Sequence, residues 1–167
     1  MLNEEFVATA IREIVRRDAE TTEIEFYSEF TTRARAIAAI RDDLGAQTER
    51  ASLFYQVYYD RLPDREGLDF WVGVLEGNPD LTDEALADFF FEAGEFETLY
   101  GGLEAESAVE ALYRNVLGRE PDTPGLAFWT GLVLDPDNDF GLRDLGVFFV
   151  TADETQETFA PLLDAYL

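Results

Sequence analysis

An eighteen-residue stretch occurs twice in this chain of 167 residues: FYQVYYDRLPDREGLDFW at 54–71 and LYRNVLGREPDTPGLAFW at 112–129. Tyr55/Tyr113, Arg61/Arg119, Pro63/Pro121, Asp64/Asp122, Gly67/Gly125, Leu68/Leu126, Phe70/Phe128 and Trp71/Trp129 are identical pairs. The correspondence continues with Gly73 on Gly131. After one extra residue in the later copy, Leu86, Phe89 and Phe90 fall on Leu145, Phe148 and Phe149, and Ala93-Gly-Glu95 on Ala152-Asp-Glu154. A unit of this length, written twice, points to a repeat architecture in which neighbouring copies bury one another's apolar faces.

A worn third copy stands in front. AIREIVRRDAETTEIEFY, residues 10–27, laid on 112–129, keeps Arg12, Arg17, Thr21 and Phe26. It also sets Ile14, Val15, Ile24 and Tyr27 where Val116, Leu117, Leu126 and Trp129 stand. The expected division is a degenerate segment at 1–49 and two clear units at 50–104 and 105–167.

Each unit reads as short amphipathic helices. Val109, Leu112, Tyr113, Val116 and Leu117 follow the three-and-four spacing of one helical face, and Gly118 suits a left-handed helix end. Asp122 is a good N-cap, with Pro124 in the first turn, where a missing N–H costs little. The next helix then presents Leu126, Trp129, Leu132 and Val133, and in the earlier copy Leu68, Trp71, Val74 and Leu75. Thr82 opens TDEALADFFFEAG as another N-cap, with Leu86, Phe89, Phe90 and Ala93 as its buried face. The front segment adds a helix over about 3–17 with Phe6, Ala10, Ile11, Ile14 and Val15 inward, and another in TRARAIAAIRDDL with Ile37, Ile40 and Leu44. No run of strict alternation argues for a strand. The fold class expected is all-α: a compact helical repeat bundle of two clear units and a degenerate N-terminal one.

Composition limits function. Twelve basic residues, all arginine, face 36 acidic ones for a net charge of −24. Such a field repels phosphate backbones and anionic lipid, so nucleic acid and membrane surfaces are poor partners. The imbalance is uneven: residues 1–50 hold seven Arg and eleven Asp/Glu, giving −4, which leaves −20 for the rest. The front part meets an acidic neighbour, such as a second copy, with less repulsion. With neither cysteine nor histidine, thiolate and imidazole chemistry and the commonest zinc ligands are excluded. The opening MLNEEFVATAIREIVRRD lacks the basic head and apolar run of a secretory signal, and no stretch approaches a membrane span. If the chain is exported, the route expected is one without a cleaved N-terminal signal.

The pattern Tyr-Arg-x-x-Leu-Gly-Arg-x-Pro-Asp-x-x-Gly-Leu-x-x-Trp, present as Tyr113 through Trp129, resembles the bacterial domain-of-unknown-function family 4214. Ala93 to Phe96 is similar to that family's Ser-Pro-Glu-Phe element, with Ser-Pro replaced. The resemblance spans about residues 50–160. More distantly, the chain resembles the helical linker domains of cyanobacterial light-harvesting assemblies. The resemblance to the first family implies a secreted or cell-surface, surface-layer-associated protein, often found beside calcium-binding glycine-rich repeats, which this sequence lacks.

The repeated residues Arg61, Pro63, Asp64, Gly67, Trp71, Arg119, Pro121, Asp122, Gly125 and Trp129 read as framework. The indoles suit core packing, with glycan stacking as the alternative. The guanidiniums suit a nearby carboxylate or helix-end carbonyls, with an anionic ligand as the alternative. Asp135, Asp137 and Asp139 alternate as in the opening of a calcium loop. Phe140 and Gly146 then stand where glycine and glutamate are required, so a helix-capping turn is the plainer reading and weak Ca2+ binding the sharper one. No nucleophile elbow, phosphate loop or metalloprotease motif occurs. The function expected is a non-catalytic interaction or assembly module that binds protein partners or itself. A calcium- or polysaccharide-binding surface domain is the first alternative, and a carboxylate-based glycoside hydrolase the second. Tyr55, Tyr58 and Tyr59 are expected to lie partly outside the core.

Overall fold

The computed structural model describes residues 1–166, and side chains through residue 161; the last expected segment, 105–167, therefore ends one residue outside the described chain. Every regular element described is a helix. In chain order these are α1 (Glu4–Val15), α2 (Thr21–Ser28), α3 (Arg33–Leu44), α4 (Ala46–Tyr59), α5 (Arg65–Gly77) and α6 (Asp83–Glu92). There follow α7 (Gly94–Tyr100), α8 (Ala105–Leu117), α9 (Thr123–Leu134), α10 (Leu142–Thr151) and α11 (Asp153–Tyr166). The protein is all-α, as its periodicity requires.

Helix starts follow their caps. Asn3 accepts from the N–H groups of Glu5 and Phe6, Thr32 from Arg35, and Thr82 from Ala85, each satisfying donors that the first turn leaves open. The helix expected over 3–17 is shorter, because Arg16 turns left-handed after Val15. The run TDEALADFFFEAG is not one helix. Ala93 takes an extended conformation that closes α6 and opens α7.

The chain divides into two compact units, residues 1–52 with 63–79, and residues 53–62 with 80–166. This division and the sequence repeat cut the chain differently: α5 belongs to the first unit, while α6 and α7 belong to the second. In the first unit α1, α2 and α3 pack together around Val7, Ile11, Ile14, Val15, Tyr27 and Ile40. Val7 is an unexpected member, whereas Phe6, Ala10, Ile37 and Leu44 are only partly buried against the cluster. Thr48 donates to the Ile14 carbonyl at 2.8 Å, and Tyr27 to Asp43 at 3.0 Å. α5 buries Leu68, Val72 and Leu75, and its ends are ion-paired through Arg65 to Glu13 and Glu76 to Arg17. Val72, rather than the expected Trp71 or Val74, completes its buried face.

In the second unit α6 packs on α10, and α8 packs on α9, α10 and α11. Phe90 is the centre of an aromatic core, within 5.1–6.0 Å of the rings of Phe54, Tyr55, Tyr58 and Tyr59. All three tyrosines are buried, which corrects the expectation that some lie outside. Burial is compatible with the Tyr58 hydroxyl because it donates to the Arg143 carbonyl at 2.8 Å. Desolvation drives that phenol far above its ordinary pKa. Gly146 gives the ring its space: a Cβ there would stand 2.5 Å from Tyr58 Cζ.

Two expected core faces are corrected. Phe89 is 59% exposed, since α6 turns Leu86, Ala87 and Phe90 inward instead. α9 has no buried residue at all; Leu126, Trp129, Leu132 and Val133 are half-buried.

Candidate functional site

The repeated motif builds one recurring corner. α1, α4 and α8 each end on a residue in the left-handed region, Arg16 (φ 63°), Asp60 (φ 51°) and Gly118 (φ 64°). The next helix, α2, α5 or α9, begins five residues later in every case. The third copy, read from only four identities, therefore turns at the same register as the two clear ones. Its Arg12–Asp18 ion pair at 3.0 Å also has a counterpart in Arg114–Glu120 at 2.8 Å.

After the left-handed residue comes the repeated arginine. Arg61 Nε and Nη2 donate to the two carboxylate oxygens of Glu95 at 2.6 and 2.9 Å. Arg119 grips Glu154 with the same two distances. Each also donates from Nη1 to the next carbonyl, that of Leu62 or Glu120, and lies over a tyrosine ring, Tyr55 at 4.9 Å or Tyr113 at 5.3 Å. A planar fork matched to a carboxylate, with its face on an aromatic ring, is the geometry that distinguishes arginine from lysine. The hydrogen bond from Arg119 holds the Glu154 carboxyl below its usual pKa. In the front copy Arg17 grips a different glutamate with different nitrogens: Nη1 and Nη2 donate to Glu23 of α2 at 2.9 and 2.6 Å, which depresses the Glu23 pKa, while Nε donates to Glu76 at 3.2 Å. There α3 leads directly into α4, without a short helix like α7 to carry a glutamate.

Pro63 is buried and Pro121 half-buried just beyond the corner. Asp64 and Asp122 follow as N-caps, accepting from the N–H of Gly67 and Gly125 at 2.7 Å each. At Gly125 a Cβ would meet Asp122 Oδ1 at 2.8 Å, so the missing side chain lets the cap close. Trp129 donates from Nε1 to the Tyr113 hydroxyl at 2.8 Å and lies against Phe148, with ring centres 4.6 Å apart. Trp71 meets Phe70 edge-on at 5.3 Å. Both indoles are half-buried. The motif's arginines, aspartates, glycines and indoles thus have partners within the chain, each guanidinium its own glutamate.

Glu95 and Glu154, the partners of the two forks, were not singled out by the motif, although their equivalence between copies is visible in the sequence. A second feature lies in the residue before each ring. Phe26, Phe70 and Phe128 occupy the same repeat position, each packs edge-on against the following Tyr27, Trp71 or Trp129, and each is more than half exposed. Identity of Phe70 and Phe128 was legible; their exposure was not.

The acidic loop is a turn. Asp135 accepts from the Asp137 N–H at 2.9 Å, and Asn138 from the Phe140 N–H at 2.7 Å. Asp135, Asp137 and Asp139 are not brought together: among the described residues no three acidic side chains are grouped so as to hold a metal ion. No helix described is long and apolar enough to cross a membrane.

No curated protein and no solved structure matches the chain. Residues 87–136, from within α6 to the loop after α9, match the family model DUF4214, a domain of unknown function; the match is shorter than the resemblance read from the motif and includes residues 112–129.

Proposed function

We propose that this protein is a non-catalytic helical interaction module of the cell surface or the secreted space, binding protein partners or further copies of itself. One observation carries the reading: the polar residues of the repeated motif are occupied inside the framework, while an aromatic side chain at the same position of all three copies is left in solvent. Groups already held by internal partners are positioned for architecture, and exposed aromatics are what a partner surface uses. The surface location rests on the family resemblance. A surface-polysaccharide domain is the second reading, favoured by the same exposed rings beside half-buried indoles, since sugars stack on such platforms.

Light scattering across concentration and salt, together with a glycan array and a panel of glycan substrates, tests these readings. Association with itself or with a cell-envelope protein is expected, without turnover. A strict monomer that binds neither protein nor glycan refutes the proposal, and turnover abolished by one Asp or Glu substitution replaces it with catalysis.

A further inference from the structure

Between α2 and α3 lies an open groove of about 600 Å3, with Phe26, Phe30, Ala38 and Ala39 as its apolar lining. Its charges are Glu29, Arg35 and Asp42. Arg35, Ala38, Ala39 and Asp42 recur at the three-and-four spacing of one helical face, so that two alanines separate opposite charges along α3. Neither the Arg35 guanidinium nor the Asp42 carboxylate has a partner among the described residues. Their neighbours do: Arg33 lies over the Phe6 ring at 4.8 Å, and Asp43 accepts from Tyr27. The order of charge also opposes the helix dipole. Arg33 and Arg35 stand in the first turn, where positive charge is disfavoured, and Asp42 and Asp43 in the last, beside Arg41.

The other copies show what covers such a helix. α3, α6 and α10 are the third helices of the three copies. Counted from the N-caps Thr32, Thr82 and Gly141, Ala36, Leu86 and Leu145 share one buried position, and Ile40, Phe90 and Phe149 another. α6 and α10 pack on each other, and Arg143 of α10 holds Asp88 of α6 across that contact. Asp88 has the position of Ala38, which is exposed in the groove. With α6 and α10 paired, the chain has no further third helix for α3, which packs on α1 and α2 of its own copy.

We infer that this face is closed by α3 of a second copy, in an antiparallel, twofold dimer. The inference rests on the interaction-module reading and names its partner. A twofold axis passing between Ala38 and Ala39 sets Arg35 of each copy opposite Asp42 of the other, so the charge pattern complements itself on reversal. The same reversal places aspartates beside the partner's first turn and arginines beside its last, which answers both dipoles. Ala38 and Ala39 let the helices approach closely, and Phe26, 56% exposed, flanks the seam. Glu29 is left over as one negative charge per groove, within the segment 1–50 that carries −4 of the net −24. A helix of 12 residues is about 18 Å long, and two such faces with the flanking rings bury on the order of 1,000 Å2 in total, the lower end of specific interfaces. The dimer is therefore weak and concentration-dependent.

Sedimentation equilibrium of the whole chain at about 0.15 M NaCl tests this with Arg35→Glu and Asp42→Arg. Both positions are exposed, and circular dichroism checks that each variant is folded. Each substitution alone sets like charges opposite one another and is expected to weaken association about tenfold or more. An equimolar mixture of the two variants should associate again, as should the double variant Arg35→Glu/Asp42→Arg, because both restore opposite charges across the axis. Loss in the single variants without recovery in the mixture overturns the antiparallel register, and a dimer indifferent to both overturns the α3 interface; either leaves the interaction-module reading standing. A wild-type chain that stays monomeric to about 1 mM overturns the dimer outright, and envelope-protein binding then decides the broader reading separately.

Discussion

Replacing Gly146 by alanine should destabilise the protein, although alanine is the better helix former. The new Cβ would lie 2.5 Å from Cζ and 2.6 Å from the hydroxyl of Tyr58, a fully buried ring. Tyr58 cannot withdraw freely. Its ring is stacked on Phe54 at 5.7 Å, and its hydroxyl is bonded to the Arg143 carbonyl of the same helix, α10. Overpacking of this kind costs about 1–3 kcal/mol, and a hydrogen bond lost in the adjustment adds about 1 kcal/mol. Alanine returns at most ~1 kcal/mol of helix propensity. A net loss of about 1–3 kcal/mol is expected. The same substitution at Gly73 of α5, where a Cβ meets nothing within 4 Å, should instead stabilise by up to ~1 kcal/mol. Urea denaturation followed by circular dichroism measures both, each against the wild-type transition with its slope checked for constancy. Equal stability changes at the two glycines would refute the reasoning, since local space would then not decide the sign.

The fork between Arg119 and Glu154 is exposed, so a double-mutant cycle with Arg119→Gln and Glu154→Gln should return a coupling of no more than ~1 kcal/mol. Because that arginine lowers the Glu154 pKa, the coupling is complete above the unfolded carboxyl value of about 4.3 and lost as pH falls through the lower folded value. The stability difference between wild type and Arg119→Gln should accordingly be present at pH 7 and shrink as pH falls below the unfolded carboxyl value; a difference that grows on acidification contradicts it. Melting temperature should rise between low salt and about 1 M NaCl, because screening relieves a net charge of −24. Calorimetry with millimolar calcium should give no saturable heat at the loop of Asp135, Asp137 and Asp139, whose backbone is closed by its own Asx turns.

Local signals in the sequence carried much of the fold. Asp64, Asp122 and Thr82 cap as their chemistry requires, and Gly118 is left-handed at the position its residue type announces. These depend on a few adjacent residues and so can be read without a tertiary structure. What escaped depends on neighbours far along the chain. Phe89 and Phe90 are adjacent aromatics of equal hydrophobicity, and only the placement of Phe54 and Tyr55 decides that Phe90 is the buried one. α9 is apolar on every side where α5 has one apolar face, and periodicity alone does not tell which of its sides is covered. Ala93 breaks α6 from α7 without proline or glycine at the break itself, and the glutamate that follows is needed by an arginine 34 residues away. The motif residues stood out because they are paired with an equivalent text; the direction each side chain takes did not.

The left-handed corner bears on how strain is distributed. Glycine adopts that conformation without cost, but Arg16 and Asp60 hold it with a Cβ attached, at about 1–2 kcal/mol each. The two bends retained without glycine are thus small reservoirs of unfavourable energy, kept closed by the side chains around them. Arg16 and Asp60 are consequently the sites at which relaxing the main chain, rather than improving a contact, offers a route to a hardier protein.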